Sequence, residues 1–397
     1  MDSLRSIEVS SSGFSAEEYS RYSRQMILSE IGSEGQYRLR NAAVLCIGAG
    51  GLGSPIMLYL AAAGVGHIGI VDSDIVEGSN LHRQVIYGSS NTGQPKTHSA
   101  RDRLQDLNPN CSIKVHNTIL DTSNALKIIA DYDIICDATD NFPSRYLIND
   151  ACVILGKPDI YGSVQGFHGQ ASVFNLSTES PNFRDLLPAP PPLNLVPSCA
   201  EAGVLGVLPG LVGTIQATEA LKVITGIGKP LDGRLLLVDG RTMQFREMRL
   251  RPDPDRVPIT SLVNYDQLYK DQLDNICKHD RGSTLDSIDS ISVQDLKLIL
   301  DNDDLDILLL DVRRQEEAAI ATIKGARLIP LANIENSEAI EQVRDLARGK
   351  RVYVHCKLGG RSAKAVRILA QHGIVAVNVS GGIDAWSREI DTTIPQY

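Results

Sequence analysis

Short apolar runs alternate along the chain with stretches in which apolar residues recur every three or four positions, the pattern of strands followed by amphipathic helices. A first helix is expected near Ser15, with Glu17 and Glu18 behind it to favour its N-terminus. Strands follow at Ala43–Ile47, His67–Val71, Ser112–Asn117, Asp133–Cys136, Asp159–Val164, Gln170–Phe174 and Arg234–Val238. Helices are expected over Pro55–Ala63, Thr97–Leu107, Asn124–Ala130, Pro143–Leu155 and Leu211–Thr225. A long irregular stretch, Asn175–Pro197, carries Pro188, Pro190, Pro191 and Pro192, and loops of this length inside a domain are usually functional. After a charged, proline-bearing stretch a second, smaller unit begins at Ile291, with strands at Ile307–Leu310, Arg351–His355 and Val375–Val379 and helices at Val293–Leu300 and Ser362–Gln371. The pattern gives a disordered segment at 1–14, an α/β domain at 15–250, a linker at 251–288 and a smaller α/β domain at 289–397.

Composition narrows the class. With 397 residues the chain is too long for one core, which agrees with two domains. A net charge of −9 disfavours a broad nucleic-acid-binding face. No apolar run reaches the ~20 residues of a membrane span, and the first fifteen or so residues hold no signal-peptide core, so a cytoplasmic protein is expected. Seven scattered cysteines, an odd number, read as reduced thiols rather than a disulfide framework. Cys46, Cys136 and Cys152 lie in apolar segments and need no special chemistry; Cys199 and Cys356 do not.

Gly48, Gly50, Gly51 and Gly53 stand between the first strand and its helix, where backbone N–H groups face phosphate. Asp72 ends the next strand at the spacing of a ribose-binding carboxylate. To this point a nicotinamide-dependent oxidoreductase is an equal candidate. Asp74, Ser79, Asn80, His82, Arg83 and Lys96 follow, and such a cluster of cations and amides suits a triphosphate. Asp140 and Asn141 sit where the strand at Asp133–Cys136 runs out, in the expected ligand crevice of a doubly wound sheet.

These residues resemble the MoeB/ThiF family, relatives of the ubiquitin-activating enzymes, which adenylate the C-terminal glycine of small ubiquitin-fold proteins. The resemblance implies a Rossmann-like, doubly wound domain that uses ATP, with Asp140 as magnesium ligand. It also covers Arg21, Tyr22, Ser23, Arg24 and Gln25, implying that Arg24 reaches the nucleotide of a second subunit in a homodimer. Many relatives hold zinc with two Cys-X2-Cys pairs. Here Asn182, Phe183, Arg184 and Asp185 stand at the first place and no cysteine lies in Arg251–Pro258 at the second, so no zinc is expected.

In the second unit Cys356 ends a strand, and the loop Lys357, Leu358, Gly359, Gly360, Arg361 leads into a helix at Ser362. Amides of such a loop converge on the sulfur and stabilise a thiolate, and Arg361 can hold the outer charge of a persulfide or thiosulfate. A tyrosine-phosphatase loop builds a similar cradle but needs five residues between its cysteine and arginine, and four intervene here. With Leu310, Asp311, Val312, Arg313 and the closing Gly381–Trp386 and Ile394–Tyr397 segments, the unit resembles the rhodanese sulfurtransferases. Together the resemblances imply adenylation of a Gly-Gly-ended sulfur carrier, attack by a Cys356 persulfide, and release of a thiocarboxylate by Cys199. The sulfur donor could be thiosulfate or a cysteine desulfurase, and the downstream pathway molybdopterin, thiamine, cysteine or tRNA thiolation. An enzyme that conjugates its carrier through a Cys199 thioester is the alternative.

Overall fold

The first apolar run forms β1 (Ala43–Ile47), and the residues on its two faces lie in different cores. Because strand side chains alternate, Val44 and Cys46 face one layer, with Ile56, Met57, Leu60 and Val212. Leu45 and Ile47 face the other, with Ile128, Ile129 and Ile148. A strand buried on both faces reads as a continuous apolar run, and each such side chain contributes ~1.5–3 kcal/mol on burial.

The structure, a computed structural model, describes residues 13–191, 203–265, 267–268, 288–302 and 306–397. These fall into two compact units. The larger opens with α1 (Ala16–Met26) and α2 (Gly32–Asn41). It then alternates through β1, α3 (Gly53–Ala63), β2 (His67–Val71), α4 (Lys96–Leu107), β3 (Ser112–His116), α5 (Ala125–Ala130), β4 (Ile134–Asp137), α6 (Phe142–Leu155) and β5 (Asp159–Gln165). It continues with β6 (His168–Phe174), α7 (Phe183–Leu186), α8 (Val207–Thr225), β7 (Arg234–Asp239) and β8 (Gln244–Arg249). The sheet order is β3-β2-β1-β4-β5-β6-β7-β8, parallel from β3 to β5 and antiparallel beyond. The direction of winding reverses between β1 and β4, so a crevice opens beyond their carboxyl ends.

The smaller unit holds β9 (Ser290–Ile291), α9 (Val293–Asp301), β10 (Ile307–Asp311), α10 (Gln315–Ile320), β11 (Arg327–Leu328), α11 (Leu331–Glu335) and α12 (Ile340–Leu346). It ends with β12 (Arg351–His355), α13 (Gly360–Gln371), β13 (Ala376–Val379) and α14 (Gly382–Glu389). All pairings in its β11-β10-β12-β13-β9 sheet are parallel. Leu308, Leu310, Val352 and Val354 face α13 through Ala365, Val366 and Leu369. Leu309, Tyr353 and Val379 face α9 and α14 through Val293, Leu296, Ile383 and Trp386.

Several expectations change. Ser15 caps α1 in a reciprocal capping box with Glu18. Phe14, placed by sequence in the disordered segment, is buried and stacks on Tyr37 at 4.3 Å. Strand β8 was not expected, because every residue in it is exposed and no apolar alternation marks it. Helix α8 starts earlier than expected and is long and apolar enough, by length and composition, to cross a membrane. It packs instead against α3 and the sheet, with Gln216 and Glu219 buried. The start of the expected linker is tied to the larger unit. Arg256 Nη1 donates to Asp185 Oδ2 at 2.8 Å, the Asp253 N–H donates to Asp185 Oδ1 at 2.8 Å, and the Tyr265 ring lies 5.2 Å from that of Tyr146.

The smaller unit is expected to lose stability in acid in two stages. His355 is fully buried, and burial holds its imidazole neutral, below its ordinary 6.5. The unfolded chain takes up the proton first, so stability is lost as pH falls below ~6.5. Burial opposes ionisation of Glu317, but the hydrogen bonds from Arg361 and from the Arg314 backbone outweigh it and hold the carboxyl at about 2 against an ordinary 4.5. That contribution is present above 4.5 and is lost as pH falls toward 2. Trp386 is the single tryptophan and is buried in this unit, so its fluorescence during urea unfolding reads the effect. A midpoint unchanged between pH 7.5 and 5.5 would refute the first stage.

Candidate functional site

The crevice beyond β1 and β4 is a cavity of about 720 Å³, within the range of small-molecule sites. Gly48, Gly50, Gly51, Asp72, Asp74, Asn80, Arg83, Lys96, Asp140 and Asn141 all line it, so segments nearly a hundred residues apart meet as the sequence predicts. Gly48 has φ +98°, and a Cβ there would stand 2.7 Å from the Ala138 carbonyl oxygen. A Cβ on Gly53 would lie 2.0 Å from the Gly48 carbonyl oxygen. Gly53 therefore does not line the cavity; it lets α3 start tight against the loop.

Asp72 braces the loop. One carboxylate oxygen accepts the Ala49 N–H at 2.8 Å and the other the Asp74 N–H at 2.8 Å. Lys96, the first residue of α4, is almost fully buried and donates to Asp74 Oδ2 at 2.8 Å. Arg83 donates to Asn80 Oδ1 at 3.0 Å and meets His82 Nε2 at 2.8 Å. Burial first, then the Arg83 charge, holds the His82 imidazole below its ordinary value. Asn141 caps α6 by accepting the Ser144 N–H at 2.9 Å, which leaves the exposed Asp140 beside it at the crevice. Ser79 and His82 do not line the cavity, and Arg24 is exposed in the last turn of α1, outside the lining.

Sequence reasoning missed Arg145, and it names Gln84 only as the end of the run Ser79–Gln84. Both are buried in the cavity wall. Arg145 donates to the Thr139 carbonyl at 3.0 Å and lies over the Tyr161 ring at 5.5 Å. It also faces two buried carboxyls, Asp137 and Asp159, both pushed up, chiefly by burial.

In the smaller unit Cys356 follows β12 and is buried. Its sulfur accepts the Gly359 N–H at 3.1 Å and the Ser362 hydroxyl at 3.4 Å. The loop carbonyls turn the other way: Cys356 O accepts the Ile383 N–H at 2.9 Å and Lys357 O the Asp384 N–H at 3.1 Å, at the start of α14. Gly382, φ +54°, permits this approach, since a Cβ there would stand 2.3 Å from the Cys356 carbonyl oxygen. With the carbonyls occupied, one backbone amide, that of Gly359, faces the sulfur at the head of α13, rather than the several the sequence leads one to expect. Arg361 is engaged by Glu317, in two hydrogen bonds of 2.7 Å. Cys46, Cys136 and Cys152 are buried thiols pushed up by burial, as the apolar reading expects. Cys199 lies outside the described residues.

Both units resemble known proteins. Residues 22–258 match the ThiF family and residues 292–389 the rhodanese-like domain. The chain is 45% identical over 392 residues to the probable adenylyltransferase/sulfurtransferase MoeZ of Mycobacterium tuberculosis, covering 97% of each chain. It is 41% identical over 423 residues to the adenylyltransferase and sulfurtransferase MOCS3 of Bos taurus, covering 100% of this chain and 92% of that one. Among solved structures, E. coli MccB with ATP superposes with a TM-score of 0.54 at 20% identity, covering 60% of this chain and 74% of that one, a likeness of fold. The chain thus belongs to the ThiF family, in the adenylyltransferase and sulfurtransferase group that joins this domain to a rhodanese-like one.

Proposed function

We propose that a ThiF domain at 15–250 adenylates the C-terminal glycine of a ubiquitin-fold sulfur-carrier protein, and that a rhodanese domain at 289–397 converts it to a thiocarboxylate. The observation that carries this reading is the meeting of Asn80, Arg83, Lys96 and Asp140 in one cavity on a chain that also holds a buried cysteine under a loop amide.

The carrier carboxylate attacks the α-phosphate of ATP, giving an acyl adenylate and pyrophosphate. Arg83 and Lys96 hold the phosphate oxygens while charge builds, and the glycine loop presents its N–H groups to the phosphates. Magnesium fits beside Asp140, since it is bound through one or two carboxylates together with substrate phosphates; it would neutralise phosphate charge there. The outer sulfur of a Cys356 persulfide then attacks the acyl carbon, and AMP leaves. The product is an acyl disulfide on Cys356. Cys199 attacks the Cys356 sulfur of that linkage, releasing the thiocarboxylate and leaving a Cys199–Cys356 disulfide that a cellular thiol reduces. Thiosulfate or a cysteine desulfurase is the proposed donor, and the cytoplasm the proposed compartment. Arg24, exposed outside its own cavity, is assigned to a partner copy's nucleotide in a homodimer.

The zinc of related enzymes does not fit. At the corresponding segments Asp185 is saturated by the Arg256 guanidinium and by the N–H groups of Asp253 and Asn182, and a bound cation would have to displace an arginine. Elemental analysis is expected to find no zinc, and a stoichiometric amount would overturn this.

The test combines the protein with ATP, thiosulfate and a Gly-Gly-ended carrier. Carrier mass is expected to rise by one oxygen-to-sulfur exchange; a mass unchanged with thiosulfate and also with a cysteine desulfurase and cysteine refutes the proposal. A carrier adduct on Cys199 that persists without Cys356 would favour thioester conjugation instead.

A further inference from the structure

The loop that follows Cys356 holds two cations, and each is engaged by a group from outside the loop. Arg361 gives both terminal nitrogens to Glu317, 44 residues upstream, at 2.7 Å each. Lys357 is almost buried, its Nζ 4.7 Å from the centre of the Tyr397 ring, within the range of a cation–π contact. The two arrangements are linked. The Tyr397 hydroxyl accepts from Arg313 Nη1 at 2.5 Å and stands 3.4 Å from Glu317 Oε1. Arg313 is fully buried, fixed by Asp311 and by the Ala321 carbonyl at 2.8 Å. Glu317 also accepts the Arg314 N–H at 3.0 Å.

A guanidinium bound edge-on by a carboxylate presents a dipole, where an unpaired one would present a full charge. Its pull on an arriving anion is correspondingly short in range. Glu317 stays ionised throughout the neutral range, its carboxyl held at about 2 against the cost of burial by Arg361 and the Arg314 backbone.

We propose that Glu317 is a specificity-determining residue of the Cys356 loop, which neutralises Arg361 and thereby sets how strongly the loop draws small anionic sulfur donors, and that Tyr397 is a positioning residue that holds Glu317 and Lys357. This rests on the reading of Cys356 as the sulfur-accepting residue. The loop geometry alone would suggest an open anion cradle; the pairing makes it a cradle with one cation withheld.

Thiosulfate is the probe, with cyanide as acceptor and the full chain as enzyme. Glu317→Gln keeps an oxygen for Arg361 and removes the charge. KM for thiosulfate is expected to fall about 3- to 10-fold with kcat within about twofold, and the difference should shrink at high salt. Glu317→Asp keeps the charge and should stay within about twofold of the wild-type KM. Tyr397→Ala should lower kcat about tenfold through a mobile Lys357, and Tyr397→Phe, which keeps the ring, should recover most of it. Trp386 fluorescence confirms that each variant is folded. If Glu317→Gln is folded and its KM is unchanged or raised, or if Glu317→Asp lowers KM as far as a neutral side chain would, the proposal is overturned. If wild type and Cys356→Ala both fail to turn over thiosulfate, the reading of the site falls first, and this proposal with it.

Discussion

Cys356→Ala is expected to abolish sulfur transfer while leaving carrier adenylation within about twofold. The sulfur that accepts the Gly359 N–H and the Ser362 hydroxyl is the only atom in that loop able to carry a sulfane sulfur covalently. The nucleotide cavity is built wholly from residues of the larger unit. Two assays on one preparation separate the outcomes: ATP–pyrophosphate exchange with the carrier present, and thiocarboxylate formation read from carrier mass. Residual transfer above about 1% of wild type would mean that another thiol takes the sulfur.

The second large effect concerns Lys96. Its amine is almost buried and its charge is balanced by Asp74, so Lys96→Ala removes the proposed phosphate ligand and leaves the Asp74 carboxylate without its cation in the cavity wall. Loss of one preorganised charge donor costs ~10²–10³-fold in rate, and the repulsion from Asp74 adds to it. ATP–pyrophosphate exchange is expected to fall by at least ~10²-fold, with thiosulfate turnover on Cys356 unchanged. A loss of less than about threefold would remove Lys96 from the phosphate site.

Much of this was legible in the sequence, for reasons that also mark its limit. The glycine loop could be placed because β1 is buried on both faces and so reads as one apolar run, with four glycines directly behind it. Asp72, Asn80, Arg83, Lys96 and Asp140 converge because chain order in a doubly wound sheet predicts which strand ends meet. Strand β8 could not be found, since its exposed Gln244–Arg249 residues carry no inward face. Helix α2 escaped because two glycines interrupt it and polar residues dominate. Arg145 and Glu317 belong to the same class of miss. Each acts through a partner fixed by tertiary packing, and the 44 residues between Glu317 and Arg361 follow no spacing rule. The sequence expectation makes Asp140 the magnesium ligand with Asn141 next to the nucleotide; both line the cavity, and the Asn141 side chain also caps the helix that follows, a role its position alone did not reveal.

Helix α8 adds a mechanical consequence. The Gln216 side chain donates to the Asp137 carbonyl at 2.7 Å and to the Ile160 carbonyl at 2.9 Å, stitching the helix across two neighbouring strands. Gly162 makes room for it, since a Cβ there would stand 2.1 Å from Gln216 Oε1. Pro209, in the first turn of the same helix, forms part of the nucleotide cavity. The helix is therefore a strut bolted to the floor of the crevice in its middle and forming its wall at one end. A force applied at the Val204–Pro209 edge is delivered to the strand end that bears Asp137 and, just beyond it, Asp140.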